Sequence, residues 1–147
     1  PFPLPCMYSY VYRHRVRYRE CDPMGVVYHT HYLDYFEAAR TEALREMGFA
    51  YKQLEDGGVI MPVIDLSARY LRPAYYDDVL EITVTFDEVP RVRVPLSYAV
   101  RREGEAAVLV TGHVTLCFFD RERGRPVALP PPVRAVFERV LAEEPQA

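Results

Sequence analysis

The chain has 147 residues, of which half are hydrophobic and 27% are charged, and its formal net charge is −3. This length and composition favour one packed domain rather than a disordered chain. The weakly acidic balance excludes a broad nucleic-acid-binding surface, and no apolar run reaches the roughly 20 residues that span a bilayer.

The ends of the chain suggest the limits of the domain, and the cysteines indicate the cellular compartment. The N-terminal PFPLPCMYSY lacks the basic and hydrophobic regions of a signal peptide. We expect a tail over residues 1–7, a single domain over 8–142 and a second tail over 143–147. The three cysteines are Cys6, Cys21 and Cys117. Their odd count and lack of metal-binding spacing indicate a reducing compartment, which predicts a cytoplasmic protein.

The first predicted element is a strand over Tyr8–Arg19, because aromatic and apolar residues alternate there with arginines. The first face holds Tyr8, Tyr10, Tyr12, His14, Val16 and Tyr18, and the second holds Arg13, Arg15, Arg17 and Arg19. One face of this strand is therefore expected to be exposed to solvent or to contact a partner chain.

A loop and the only long helical pattern follow, over Cys21–Met47. The helical stripe consists of Tyr32, Tyr35, Phe36, Ala39, Ala43 and Met47, at three- and four-residue spacing. Thr30 is the predicted N-cap, Asp34 lies in the first turn, and Gly48 is the predicted stop.

The loop before the helix carries one carboxylate, Asp22, followed by Pro23 and Gly25. In one interpretation Asp22 forms the turn by bonding its own backbone. In the other, Asp22 is a nucleophile or base, and the unpaired amides of the helix N-terminus polarise a carbonyl. Spacing alone leaves both open.

The rest of the chain predicts a short helical turn over Phe49–Gly58 and then consecutive strands. The strands are Ile60–Leu71, Val79–Asp87, Arg91–Arg101 and Ala106–Phe119, the last expected to be the longest. The Ile60–Leu71 strand places Ile64, Leu66, Ala68 and Tyr70 on one side. Pro95 requires an edge position or a bulge, and Glu103-Gly104 is a tight turn. Short turns predict an antiparallel meander.

A proline-rich connector over Arg125–Pro132 leads to a short amphipathic helix, with Pro132 in its first turn. Its apolar residues are Val133, Val136, Phe137, Val140 and Leu141. The pattern predicts an α+β domain in which a curved five-stranded antiparallel sheet wraps one long helix. Such a sheet has an open edge, so we expect a partner chain to complete it.

The remaining candidate groups carry weaker signals. His29 either orients Asp22 or substrate, or lies in solvent beside the helix start; His31 is expected at the surface. His14 and His113 fit core or interface positions on strands. Cys21 is a poor thiolate candidate beside a carboxylate. No HExxH, CxxC or GxGxxG motif occurs, so the sequence predicts no metal and no cofactor.

Arg91 and Arg93 lie two residues apart on one predicted strand, so their side chains project from the same face. Arg69 and Arg72 form a similar pair on another strand. Such residues are typical of a solvated strand face. Alternatively they form a phosphate clamp, because guanidinium forks match phosphate oxygens bidentately.

The run YRECDPMGVVYH over Tyr18–His29, with Tyr32 and the helix residues Glu37–Arg40, resembles the hotdog-fold acyl-CoA thioesterases. The nearest groups are the 4-hydroxybenzoyl-CoA thioesterase family and its YbgC-like branch. The similarity extends from about Tyr12 to the C-terminal helix and includes Tyr70–Ala74.

The resemblance implies the hotdog fold and hydrolysis of acyl-CoA to free acid and coenzyme A. The family's aspartate falls on Asp22, as nucleophile or general base, and its carbonyl-polarising amide falls on His29. The His29 imidazole and the Tyr18 side chain also match the motif. The substrate-binding residues implied are Gly25, Val26, Tyr32, Arg91 and Arg93.

For Arg91 and Arg93 the implied role is contact with the nucleotide phosphates, although Pro95 departs from the family pattern there. The resemblance also implies homodimers assembling into homotetramers, with each active site at a dimer interface. Rival functions on this fold are a dehydratase or hydratase of acyl thioesters and a non-catalytic acyl-CoA-binding module. Asp22 ahead of Gly25 favours hydrolysis. The acyl group, and the choice between coenzyme A and acyl carrier protein, stay open.

Overall fold

The computed structural model describes residues 7–49 and 51–142. Except for Met7, the expected tails lie outside these described residues, as does Cys6. No helix within them is both long enough and apolar enough to cross a membrane.

The secondary structure consists of eight strands and three α-helices within the described ranges. In chain order these are β1 (Tyr8–Arg15), α1 (His31–Met47), α2 (Tyr51–Asp56), β2 (Val59–Ile60), β3 (Val63–Tyr70), β4 (Val79–Phe86), β5 (Arg93–Arg102), β6 (Val108–Cys117), β7 (Phe119–Asp120), β8 (Arg125–Pro126) and α3 (Pro131–Ala142). A 3-10 turn over Tyr18–Glu20 precedes α1.

The main sheet has five antiparallel strands in the order β1-β4-β5-β6-β3, and α1 packs on one of its faces. The predicted hotdog architecture is therefore confirmed. A smaller sheet, β2-β7-β8, was not predicted from the sequence. It draws on three predicted elements: Ile60 of the predicted Ile60–Leu71 strand pairs with Phe119 of the predicted Ala106–Phe119 strand, and the proline-rich connector contributes β8.

The predicted four-strand meander is wrong about the position of β3 in the sheet. β4, β5 and β6 are consecutive neighbours, but β3 pairs with β6 at the far edge. β1 pairs with β4 along eight residues, from Tyr8 opposite Phe86 to Arg15 opposite Val79. The position beside β4 is thus already filled by β1, which leaves the free side of β6 for β3.

The first strand is shorter than predicted, ending at Arg15 rather than Arg19. Its partner β4 begins at Val79, so the chain beyond Arg15 has no strand to pair with. Val16 instead donates to the Asp78 carbonyl at 2.9 Å, and the 3-10 turn follows. Tyr18 therefore does not continue the inward face and is 80% exposed.

The helix α1 fills the concave side of the sheet as predicted. All six stripe residues are buried, together with Leu44, which the sequence analysis did not include. Phe36 is fully buried and its ring stacks on that of Tyr98 at 4.3 Å between centroids. Gly48 ends the helix at φ 120°, where its amide donates to Leu44 and Arg45 carbonyls.

Pro95 lies where β5 has a neighbour on one side only. β4 pairs with β5 no further than Leu96, while β6 continues and places Thr115 opposite Pro95. The proline is thus in a local edge position, one of the two predicted options. No bulge occurs there, since the register shift between β5 and β6 lies at Val100 and Arg101. β6 has ten residues, the same length as β5, so it is not the longest strand.

The edge strand β3 is largely exposed in the single chain. Its side chains Val63, Ile64, Leu66 and Tyr70 are each between 41% and 48% exposed. The apolar side predicted for this strand is therefore uncovered except at Ala68. The C-terminal helix α3 buries Val133, Phe137 and Leu141, as its pattern predicts.

The contact between α1 and the sheet yields a stability prediction. A Cβ at Gly112 would lie 2.5 Å from Cε2 of Phe36, well inside van der Waals contact. Gly112→Ala is expected to lower the unfolding free energy by about 1–3 kcal/mol through overpacking, measured by urea denaturation.

Gly57→Ala is the matched control, because its added methyl would meet the Leu54 carbonyl oxygen at an ordinary 3.4 Å. Its unfolding free energy should stay within about 1 kcal/mol of the parent. Equal values for the two variants would contradict the close packing of Phe36 on the sheet.

Candidate active site

The segment before α1 folds into a small hairpin over residues 20–28. Tyr28 donates its amide to the Glu20 carbonyl at 2.9 Å, and Asp22 donates to the Val26 carbonyl at 2.9 Å. Gly25 turns the tip at φ 80°, a left-handed conformation that favours glycine, and donates to the Asp22 carbonyl. The hairpin thus holds Asp22 near its tip, and the start of the helix follows the base of the hairpin.

The two oxygens of the Asp22 carboxylate have different surroundings. Its Oδ1 accepts from the amide of Met24 at 2.9 Å and from that of Val26 at 3.4 Å. The turn-forming interpretation is therefore confirmed. Within the described residues no donor contacts Oδ2, and the side chain is half-buried. One oxygen builds the loop while the other stays available.

The start of α1 presents backbone amides. His31 donates to Tyr28 and Leu33 donates to Thr30, but within the described residues no carbonyl accepts from the amide of His29. Thr30 is the N-cap as predicted, although its hydroxyl makes no capping bond. The positive end of the helix dipole and the His29 amide therefore lie directly after the hairpin that carries Asp22.

The His29 side chain is exposed and packs among aromatic rings at the sheet's open edge. Its ring lies 4.4 Å from that of Tyr28 and 6.2 Å from that of Tyr70, between centroids. The Tyr70 hydroxyl donates to the His29 carbonyl at 2.9 Å. Because Tyr70 belongs to β3, the segment before α1 is hydrogen-bonded directly to the edge strand of the sheet.

Tyr32 and a neighbouring loop form the walls beside the hairpin. Tyr32 is 2% exposed, and burial raises its pKa to about 12, so its hydroxyl stays protonated at neutral pH. Val27 donates to the Ala74 carbonyl at 2.9 Å. Arg102 fixes that loop through Asp78 at 2.9 Å and the Pro73 carbonyl at 3.2 Å.

Three predicted site residues lie elsewhere on the chain. The exposed Tyr18 packs edge-on against Tyr76 at 5.6 Å. Arg91 and Arg93 are exposed at the far end of the sheet. Val100, in the sheet row that contains Tyr70, is seven residues from Arg93, or about 23 Å along the strand. Within one chain the structure does not bring these arginines to Asp22.

The other candidate groups occupy structural or surface positions. His31 lies 3.4 Å from Asp34, and His113 is exposed on the outer face of the sheet. The Cys21 thiol has a raised pKa, through burial first and then through Glu20 and Asp22, which confirms that it is a poor thiolate. The described residues contain no cluster of His, Cys, Asp or Glu placed to hold a metal.

Glu20, a buried carboxylate at the hairpin base, was not predicted from the sequence as a site residue. It is 7% exposed and bonded to His14 and Tyr35. No strand pattern signals this burial, because β1 ends at Arg15, Tyr18 is exposed and Glu20 lies in the 3-10 turn. A buried charged residue requires partners, which only the folded chain shows.

Residues 16–137 match the thioesterase-like superfamily. The acyl-CoA thioesterase YbgC of Haemophilus influenzae is 33% identical over 127 residues, covering 86% of this chain and 92% of its own. The DHNA-CoA thioesterase of Staphylococcus aureus superposes with a TM-score of 0.84 at 28% identity, covering 91% of each chain. A mutant 4-hydroxybenzoyl-CoA thioesterase complexed with 4-hydroxybenzoyl-CoA superposes with a TM-score of 0.79 over 88% of this chain and 98% of that one. At 23% identity it shows the fold alone.

The hairpin geometry can be tested with two glycines of equal conformation. Gly25 and Gly104 both have φ 80°, and an added Cβ would meet nothing within 4 Å at either. Each Ala variant should lose about 1–2 kcal/mol of unfolding free energy from backbone strain alone. Hydrogen–deuterium exchange over residues 20–28 should rise in Gly25→Ala and stay unchanged in Gly104→Ala. Unchanged exchange in both would contradict a hairpin closed by Gly25.

Proposed function

The chain belongs to the thioesterase-like superfamily, and on this premise we propose that it hydrolyses acyl-CoA thioesters at the Asp22 hairpin. The products are the free acid and coenzyme A. One observation carries the assignment of the site: the Asp22 carboxylate is anchored through one oxygen and precedes a helix start whose His29 amide has no acceptor among the described residues. A carboxylate beside a carbonyl-polarising donor is the pair that acyl transfer requires.

Two routes use these groups with the same stoichiometry. As a general base, Asp22 takes a proton from water, whose oxygen attacks the thioester carbonyl carbon; the C–S bond breaks, and the coenzyme A thiolate takes that proton back from Asp22. As a nucleophile, the Asp22 carboxylate attacks the carbonyl carbon, and the C–S bond breaks as the thiolate leaves. Water then cleaves the mixed anhydride, which releases the acid, regenerates the Asp22 carboxylate and supplies the proton to the thiolate. In both routes negative charge develops on the carbonyl oxygen, where the His29 amide stabilises it; losing one such donor in other enzymes costs about 3–4 kcal/mol.

The remaining hairpin residues shape the site. Gly25 allows the tight turn at the hairpin tip. Val26 connects the hairpin to the neighbouring loop through a β-bridge with Tyr75. Tyr32 closes the inner side as a buried, protonated phenol. The exposed imidazole of His29 is free to orient the thioester. Tyr18 retains only its match to the family motif, because in one chain its ring lies against Tyr76.

We extend the proposal to the assembly, a homodimer that forms a homotetramer. β3 has one unpaired edge and exposed apolar side chains, the condition that strand pairing between two copies relieves. Because Tyr70 on that strand bonds to His29, a second copy added there would lie against the helix start. A cytoplasmic location fits the free Cys21 and Cys117.

The position of Arg91 and Arg93 sharpens their proposed role. At about 23 Å or more along the strand from the row of Tyr70, they are far from the hairpin of their own chain. We therefore place their phosphate contacts in the site of another copy. Arginine forks suit this task because they bind phosphate oxygens bidentately.

Asp22→Asn is expected to reduce kcat/KM for acyl-CoA to below a tenth, a loss of more than about 1.4 kcal/mol. The amide oxygen can still accept from Met24, so the hairpin and the fold should persist. Asp34→Asn, which changes an exposed carboxylate in the first turn of α1, is the control and should keep full activity. Retention of more than a tenth of kcat/KM in Asp22→Asn would remove Asp22 from the chemistry.

The double variant Arg91→Ala, Arg93→Ala should raise KM for acyl-CoA with kcat nearly unchanged, because the phosphates bind but do not react. Its matched control is Arg121→Ala, Arg123→Ala, an exposed pair of the same spacing. Equal KM values for the two double variants would indicate that Arg91 and Arg93 are ordinary solvent-exposed residues and do not bind the phosphates of the substrate.

Co-expression tests whether the arginines act between copies. Mixed oligomers of Asp22→Asn and the Arg91, Arg93 double variant contain sites with an intact Asp22 and intact arginines from the other chain. These sites should restore a low KM, whereas arginines acting within their own chain would restore nothing.

A further inference from the structure

Glu20 is the only buried charged residue in the described part of the chain. Three donors converge on its Oε1 atom: the Tyr35 hydroxyl at 2.7 Å, His14 Nε2 at 2.8 Å and the Arg17 amide at 3.2 Å. Because an ionised carboxylate only accepts, the Nε2 atom of His14 carries the proton in this contact. The arrangement is a fully built site for one negative charge.

The charge is retained despite burial. Burial alone would raise the pKa of Glu20, but the hydrogen bonds from His14, Tyr35 and the Arg17 amide outweigh it and lower the pKa below its usual value. Glu20 is therefore ionised at neutral pH. Its bonds to Tyr35 and His14 are charge-assisted, and such bonds are shorter and stronger than neutral ones.

The three donors belong to different parts of the fold. His14 is on β1, Tyr35 is in the second turn of α1, and Arg17 is the N-cap residue of the 3-10 turn. The carbonyl of Glu20 in turn accepts from Tyr28 at 2.9 Å. Glu20 therefore fastens the base of the hairpin to the strand and to the helix at one point.

That point lies between the two groups proposed to act on the thioester. Asp22 follows Glu20 by two residues on one arm of the hairpin. His29 directly follows Tyr28, the residue paired with Glu20 on the other arm. A shift of the hairpin base relative to α1 would change the separation between the Asp22 carboxylate and the His29 amide.

We propose that Glu20 is a positioning residue for thioester hydrolysis, which clamps the hairpin to β1 and α1 and so sets the geometry of Asp22 and the His29 amide. The proposal rests on the proposed function of the hairpin. Glu20 itself contacts no substrate. Its loss should lower kcat rather than binding, since displacement of a reacting group by about 1 Å can cost about 100-fold in rate.

A second contact of the same chemistry provides the control. Tyr8 on β1 donates its hydroxyl to Oε2 of Glu46 on α1 at 2.8 Å, at the far end of the same strand–helix packing. Tyr8→Phe and Tyr35→Phe therefore each remove one tyrosine–glutamate hydrogen bond that involves α1. Only Tyr35→Phe acts at the hairpin.

The test measures steady-state kinetics and hydrogen–deuterium exchange on the full chain, at a temperature where each variant is folded by circular dichroism. Glu20→Ala should lower kcat about 100-fold with KM within about twofold. Tyr35→Phe should lower kcat about tenfold, and Tyr8→Phe should match the parent. Glu20→Gln, which keeps the acceptor oxygen but not the charge, should fall between Glu20→Ala and the parent. Exchange over residues 20–28 should rise in Glu20→Ala and Tyr35→Phe only.

Parental kcat and exchange in folded Glu20→Ala would overturn the proposal. If Glu20→Ala does not fold, the same result in Tyr35→Phe would overturn it, as would equal kcat losses in Tyr35→Phe and Tyr8→Phe. A parent chain without thioester hydrolysis would instead defeat the proposed function. The exchange comparison would then still decide whether Glu20 holds the hairpin.

Discussion

The packing of one helix into the concave face of one sheet positions the other elements of this fold. Phe36 is fully buried against Tyr98, and at position 112 only glycine leaves room for its ring. This contact fixes the depth and rotation of α1 on the sheet. Its N-terminus consequently emerges beside the open strand β3, and its C-terminus lies beside α3, which bonds to the Met47 carbonyl through Arg139 at 2.8 Å.

The candidate site lies where that fixed helix meets a short hairpin. Asp22 uses one oxygen to hold the loop that carries it, so the position of the other oxygen is determined by backbone amides. The helix start leaves the His29 amide without a backbone acceptor in the described chain. Both groups are accessible to a bound thioester, which would supply an electrophile for the carboxylate and an oxygen for the amide.

The elements that depend on local pattern were predictable, and those that depend on distant pairing were not. The stripe from Tyr32 to Met47 has helical periodicity, so α1 and its buried face follow from the sequence. The place of β3 beside β6 depends on β1 having taken the edge of β4, which no local pattern encodes. Tyr18 illustrates the same limit, because the alternation continues past Arg15 where the partner strand does not.

The candidate site divides in the same way. Asp22 and His29 lie seven residues apart within one motif, which allowed both to be predicted from the helix start and the family resemblance. His14, Glu20 and Tyr35 lie on a strand, a 3-10 turn and a helix and share no motif, so their convergence required the folded chain. The most direct test of the account is a crystal structure of Asp22→Asn with an intact acyl-CoA. We predict that the thioester carbonyl oxygen accepts from the His29 amide at about 2.7–3.1 Å, with the substituted side chain at position 22 beside the carbonyl carbon. An acyl group bound elsewhere, such as the apolar groove between Phe49 and Val133, would contradict it.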